Sequence, residues 1–253
     1  MKLRFLGTGT STGVPQIGCT CAVCTSPDPR DRRLRTSALL TTDAGEHLLI
    51  DCGPDFREQM LGLPFERIDG VLLTHEHYDH VGGIDDLRPF CALGDVHLYG
   101  DAVTLEHLRQ RIPYCFTEHP YPGVPRLVLH EAVAARAFRI GQTAVLPFCV
   151  MHDRLPILGY RIGRLTYITD LSQLPLASEP LLEGTEVLVV NALRRAPHHS
   201  HQSLDEALAL IARLKPREAY LVHLSHHMGR HAEVSTLLPP HVHIASDGLE
   251  VDV

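Results

Sequence analysis

His75-Glu76-His77-Tyr78-Asp79-His80 decides how this chain folds. Four side chains able to bind a divalent cation, His75, His77, Asp79 and His80, fall within this one run. They follow directly on the apolar stretch Ile68-Asp69-Gly70-Val71-Leu72-Leu73-Thr74, which reads as a strand. A strand that ends in such a run aims several nitrogens and an oxygen at one volume of space. Packing does not explain the density, because histidine and aspartate are poor core formers. A metal centre does. Two adjacent ions explain it better than one, which would be crowded by four ligands from so short a segment.

Two ions need further ligands, and other strand ends supply them. His152 follows Ala144–Met151, Asp170 follows Leu165–Thr169, and His223 closes Ala219–Val222. Each is a polar residue where an apolar run stops. Alone, each is more often a solvated or hydrogen-bonded strand end, and a chain with 18 histidines places some there by chance. The HEHYDH run demands partners and so changes that balance. His75 and His77 suit one ion, Asp79 and His80 a second, and a carboxylate such as Asp170 bridges two cations and lowers their repulsion. Activation of water needs nitrogen and oxygen ligands with an open coordination position.

Composition bounds the rest. At 253 residues with 44% hydrophobic content, the chain reads as a single soluble domain over 1–253 with a substantial core. A net charge of −7 argues against long contact with a nucleic-acid backbone, so no stable nucleic-acid partner is expected. The start, Met1-Lys2-Leu3-Arg4-Phe5-Leu6, is too short an apolar run for a secretory signal and reads as a strand. No stretch of about 18 apolar residues exists, so no membrane association is expected. Three of the seven cysteines lie in Cys19-Thr20-Cys21-Ala22-Val23-Cys24, a zinc-binding turn at 19–24 rather than a disulfide set. These features point to the cytoplasm. Cys52, Cys91, Cys115 and Cys149 sit among apolar neighbours and read as inert core residues.

Strand-like runs recur from end to end: Leu3–Leu6, Ala38–Thr42, His47–Asp51, Gly70–Thr74, Val96–Tyr99, Arg126–His130, Ala144–Met151, Leu158–Ile162, Leu165–Thr169, Val187–Asn191, Ala219–His223 and His241–Ala245. Asp43 and Gly45 turn one hairpin and Gly163 another. Helical patterns cover Asp55–Leu61 after Pro54, Ala102–Arg111, and Ser203–Leu214. In the last, Ser203 and Glu206 make a capping box, and Leu204, Ala207, Leu208, Ile211 and Leu214 make an apolar face. Early and late strand blocks with interleaved helices predict an α/β (α+β) fold, two mixed sheets packed face to face with helices outside. Pro113–Pro125 reads as a surface loop, either lining a cleft or simply connecting elements.

Gly7-Thr8-Gly9-Thr10 after the first strand, Leu49-Ile50-Asp51-Cys52-Gly53, HEHYDH, and the separate His152, Asp170 and His223 resemble the metallo-β-lactamase superfamily, in its order and over nearly the whole chain. That resemblance implies an αββα sandwich with two metals at one sheet edge, and a supporting role behind the ligands for Asp51. The early cysteines, the late Leu221-Val222-His223-Leu224-Ser225-His226, and His201 before a capped helix resemble the tRNase Z-like phosphodiesterase branch, in particular its PhnP family of phosphoribosyl cyclic phosphodiesterases. In that family three cysteines and a late histidine hold a structural zinc. The resemblance places it here on Cys19, Cys21, Cys24 and His226, with His227 as the alternative to His226. Three thiolates and one imidazole also suit a closed tetrahedral zinc site on chemical grounds; three unliganded thiols are the duller reading. The resemblance further implies a homodimer.

The expected reaction is hydrolysis of a small phosphodiester, a cyclic ribose or nucleotide phosphate, by hydroxide activated between two divalent ions, zinc or manganese. The residues assigned to the chemistry are Asp79, which is also a ligand, and His201. A histidine beyond the ligands suits proton delivery to a departing alkoxide. His201 lies two residues before the helix cap, whereas His198 and His199 read as exposed loop residues. Arg30-Asp31-Arg32-Arg33-Leu34-Arg35 has two readings, phosphate steering or a solvated surface run. Three rival functions remain: tRNA 3′-end processing, which usually brings a basic arm not seen here; hydrolysis of a thioester, lactone or β-lactam on the same metal core; and a noncatalytic accessory protein.

Overall fold

Short apolar runs in the first half of the chain build six strands that enter one sheet: β1 (Lys2–Gly7), β2 (Ser37–Thr41), β3 (His47–Ile50), β4 (Gly70–Leu72), β5 (Val96–Gly100) and β6 (Leu127–Glu131). The structure is a computed structural model and describes residues 1–119 and 121–253. A second sheet takes β7 (Phe138–Ile140), β8 (Thr143–His152), β9 (Leu155–Ile162), β10 (Leu165–Tyr167), β11 (Val187–Asn191), β12 (Glu218–Val222) and β13 (Val242–Ile244). The last strand, β14 (Glu250–Asp252), returns to the first sheet beside β1. Each sheet has seven strands, in the orders β14-β1-β2-β3-β4-β5-β6 and β13-β12-β11-β10-β9-β8-β7.

Both sheets are mixed. Strands β3 to β6 run parallel, as do β10 to β13, while the remaining neighbours pair antiparallel. Parallel neighbours need crossovers. Helices α1 (Phe56–Met60), α2 (Tyr78–Val81) and α3 (Ala102–Arg111) serve the first sheet, and α4 (Leu204–Leu214) and α5 (His231–Ser235) the second. Three buried clusters confirm the expected αββα layering. One lies between the sheets, from Leu3, Phe5 and Ile50 to Tyr160, Tyr167 and Val189. One packs α1, α2 and α3 on the first sheet, and one packs α4 and α5 on the second.

The capping box of α4 forms as read. Glu206 N–H donates to Ser203 Oγ, and Ser203 N–H donates to Glu206 Oε2 at 2.7 Å, worth about 1 kcal/mol at such a cap. Its apolar face buries Leu204, Ala207, Leu210 and Ile211, with Leu208 and Leu214 half-buried. Every expected strand is present with ends shifted by a few residues. No sequence pattern marks β7, β14, α2 or α5, each of five residues or fewer.

Some expectations are corrected. Cys52 and Cys91 are buried, but Cys115 and Cys149 are partly exposed: Cys115 ends the short turn Pro113–Cys115, and Cys149 lies within β8, paired with Leu158. The basic run is not a uniform surface: Arg33 is 2% exposed and donates through Nη1 to the Ala245 carbonyl, while Arg35 pairs with Asp55 at 2.7 Å. Most of the 113–125 segment is exposed, and Pro120 lies outside the described residues. Among the described residues no helix is long and apolar enough to cross a membrane.

Candidate metal centre

Strand direction explains why distant residues meet. Strands β3, β4, β10 and β12 run the same way within their sheets, and β8 runs with β10 because β9 opposes both. Their C-terminal ends therefore share one edge, the place where open α/β sheets present ligand-binding residues. Asp51, the HEHYDH run, His152, Asp170 and His223 all lie there. Asp51, Asp170 and His223 leave their strands in the left-handed backbone region, with φ of 59°, 53° and 54°. A non-glycine residue there carries strain of order 1 kcal/mol, and such strain clusters where a side chain must be aimed inward.

The side chains converge in overlapping groups. Ligand-capable atoms of His75, His77 and His152 lie within 4.8 Å of one another, as do those of Asp79, His80 and His223. Asp170 joins both regions, grouped with His75 and His80 and again with His152 and His201. His75 Nε2 and His77 Nδ1 are 2.9 Å apart. His80 Nε2 lies 3.1 Å from Asp79 Oδ2 and 3.2 Å from Asp170 Oδ2. His223 Nε2 lies 3.4 Å from Asp79 Oδ2 and 3.3 Å from Asp170 Oδ1. Of the seven side chains named as ligands, His77 alone is exposed.

Supporting hydrogen bonds turn the right atoms inward. Asp51 is fully buried and accepts from His80 Nδ1 at 2.7 Å and from Thr74 N and Oγ1, both at 2.8 Å. With its hydroxyl donated to Asp51, Thr74 Oγ1 accepts from His75 Nδ1 at 3.0 Å. His152 Nδ1 donates to the Ser200 carbonyl at 2.8 Å. In His75, His80 and His152 Nδ1 is thus engaged, and Nε2 is the nitrogen left to face the cluster. Such outer partners fix tautomer and ring orientation at metal sites. Close backbone contact locks the frame: a Cβ on Gly53 would fall 2.1 Å from the Asp79 carbonyl oxygen.

The charges fit a cation-binding pocket. Burial, reinforced by His80, holds His75 well below the usual imidazole range, and burial with His152 lowers His77. Burial opposes charge on Asp79 and Asp170, but His80 and His223 outweigh it and keep both carboxyls ionised. Burial likewise opposes charge on His80, yet Asp79, Asp170 and Asp51 raise it well above its ordinary value. Asp51 is raised, by burial above all. His80 Nε2, His201 Nδ1 and His223 Nδ1 are buried without a hydrogen-bond partner. Imidazole nitrogens and anionic carboxylates are the donor set that hard and borderline divalent cations take, and a cation bound here would displace the proton that the three carboxylates favour on His80.

His201 sits on top of this cluster. Its ring stacks on His223 at 5.0 Å and tilts against His152 at 4.7 Å, and its Nδ1 is 3.6 Å from Asp170 Oδ1. Burial, helped by His223, pulls it down to about 3. His198 is not the free loop residue expected: its ring lies 5.3 Å from that of His201, and its Nδ1 meets the Ser200 hydroxyl at 3.2 Å. His199 is exposed as expected.

A second cluster joins the N- and C-terminal parts of the chain. Cys19, Cys21, Cys24 and His226 place their donor atoms within 4.8 Å of one another, with His226 Nδ1 3.3 Å from each of the Cys19 and Cys21 sulfurs. The His227 ring tilts against His226 at 4.0 Å and is outside the group. The Cys24 amide, then His226, draws the Cys21 thiol down to about 6, while burial pushes Cys24 up to about 11. Leu224, which follows His223 and precedes His226 by two residues, is clamped by Thr8 and Thr10: its N–H donates to Thr8 O at 2.9 Å, and its carbonyl accepts from Thr10 N at 3.1 Å.

Sequence reasoning missed Thr74, Ser200 and Asn191. The Asn191 side chain accepts from Leu171 N at 2.7 Å and donates to Leu171 O at 3.1 Å, fixing the residue after Asp170. A polar residue closing the apolar run Val187–Asn191 was the available signal. Ser200 acts through its backbone and left none.

A family model described as a beta-lactamase superfamily domain matches residues 46–224. A solved diphosphatase from the PhnP family is 38% identical, with a TM-score of 0.91 over 100% of this chain and 97% of that one. A curated octanoyltransferase of Porphyromonas gingivalis is 46% identical over 99% of this chain and 51% of its own length. Ribonuclease Z of Acaryochloris marina is 29% identical over 64% of this chain and 47% of its own. The chain spans about half the length of these two curated relatives. It belongs to the metallo-β-lactamase superfamily and, within it, to the PhnP family.

Proposed function

We propose that this protein is a metal-dependent phosphodiesterase acting on small, cyclic ribose or nucleotide phosphodiesters. The carrying observation is the meeting of His75, His77, Asp79, His80, His152, Asp170 and His223 at one edge, with imidazole nitrogens turned in and two carboxyls ionised. His75, His77 and His152 would hold one divalent cation and Asp79, His80 and His223 a second, with Asp170 reaching both. Bound there, such cations supply a nucleophile at neutral pH and countercharge for a phosphoryl group. Cys19, Cys21, Cys24 and His226 would hold a structural zinc.

His201 is the proton donor in this reading. Burial keeps its ring neutral in the free protein. A phosphodiester anion beside the ring supplies the missing countercharge and favours its protonated form, so the proton is in place when an alkoxide departs. Relatives described as a PhnP-family diphosphatase and as ribonuclease Z support phosphorus chemistry at this fold's edge. The octanoyltransferase label belongs to a protein of about twice this length. The net charge of −7 favours a small substrate over the tRNA body.

The test is turnover by protein loaded with zinc or manganese. The panel holds bis(p-nitrophenyl) phosphate, nucleoside 2′,3′-cyclic phosphates, a diphosphate-bridged dinucleotide, a precursor tRNA at several salt concentrations, and an octanoyl thioester. The expected result is hydrolysis of the small diesters. Turnover confined to the thioester, or to the tRNA with a steep salt dependence, would replace this reading.

A further inference from the structure

We propose that Tyr78 and Arg111 form a stacking subsite for the base of a nucleotide held at the metal centre. This rests on the phosphodiesterase reading and narrows its substrate class from sugar phosphates to nucleotides. Tyr78 stands between His77 and Asp79 in the chain, so its backbone is fixed next to two clustered side chains. Its ring does not join the core: Tyr78 is 61% exposed. His77, its neighbour in the chain, is the exposed one of the seven clustered side chains.

The ring is exposed but not loose. It lies against Gly82, one helical turn on, where a Cβ would come within 2.8 Å of the ring Cζ. Any other residue at 82 would push the ring away. From α3, Arg111 sets its guanidinium carbon 5.7 Å from the ring centroid. Nearby Arg88 pairs with Asp85 and Arg109 with Glu106, but Arg111 has no ion-pair partner among the described residues. A held, solvent-facing aromatic beside an available guanidinium matches what bases stack on: every base has a π face, and arginine adds a plane and a positive charge. A bare sugar phosphate uses neither ring face.

The test compares ligands that differ by the base. Adenosine 2′-monophosphate and ribose 5-phosphate are titrated into the metal-loaded wild type, Tyr78→Leu, Tyr78→Phe and Arg111→Ala proteins. The ratio of the two affinities within each protein is the readout, so any shared loss of fold or metal cancels. The expected result is a preference for the nucleotide in the wild type that falls roughly tenfold in Tyr78→Leu, falls less in Arg111→Ala, and is retained in Tyr78→Phe. In parallel, KM for adenosine 2′,3′-cyclic phosphate rises in Tyr78→Leu while kcat holds. An unchanged affinity ratio in Tyr78→Leu overturns the subsite. Absence of any diester turnover sinks the phosphodiesterase reading instead, and the binding ratio still decides the subsite.

Discussion

Asp51 shows how one buried carboxylate aims two imidazoles. It takes the Nδ1 proton of His80 directly and reaches His75 through the Thr74 hydroxyl. Asp51→Ala should therefore weaken metal binding by about 10- to 100-fold, read by competition with a chelator, although Asp51 touches no ion. His201→Ala should lower turnover by about 10²- to 10⁴-fold with bound metal unchanged. Loss of an ion in that variant would make His201 a ligand beside His152 and Asp170, with which its donor atom is grouped. At this scale the sequence was readable where the chemistry was concentrated. HEHYDH announces itself by density, and His152, Asp170 and His223 as polar stops on apolar runs. Thr74 and Ser200 were not readable, because a hydroxyl relay and a backbone carbonyl leave no pattern.

Elements became legible in proportion to their length and their own chemistry. Helix α4 carries its cap and apolar face in its sequence, and both form. Strand β14 has one apolar residue in three and exists because β1 offers an edge. Turn chemistry also links the sheets. Glu46, beside the β2–β3 turn, accepts from Thr42 Oγ1, from Gln142 N at 2.6 Å and from Thr143 Oγ1 at 2.9 Å, the last two at the β7–β8 turn. The Thr42 bond above all pulls Glu46 down to about 2, against about 4.3 unfolded. A depressed carboxyl stabilises fully above the unfolded value and loses that contribution as pH falls through the folded one. Glu46→Gln should thus be less stable than wild type in urea melts at neutral pH, with the gap closing as pH approaches about 2. Cys21→Ser should remove one zinc per chain and lower Tm, with little change in kcat. A steep fall in kcat would show that the clamp on Leu224 transmits strain to His223.

For the whole molecule, strand direction does what no single motif can. Parallel runs in both sheets bring five strand ends to one edge, so residues from 51 to 223 share a few ångströms. The sequence order supported the layers, because early and late strand blocks with interleaved helices pack in few ways. It did not show the rim, where Tyr78 stands on Gly82 under Arg111, since these contacts cross elements and follow no period. The most direct measurement is a crystal structure of metal-loaded protein, with anomalous scattering recorded at the metal edges. The account predicts two neighbouring peaks among His75, His77, Asp79, His80, His152, Asp170 and His223, and a third, zinc, among Cys19, Cys21, Cys24 and His226. A fully loaded protein with no peak, or a single one, between the HEHYDH run and His223 would contradict it.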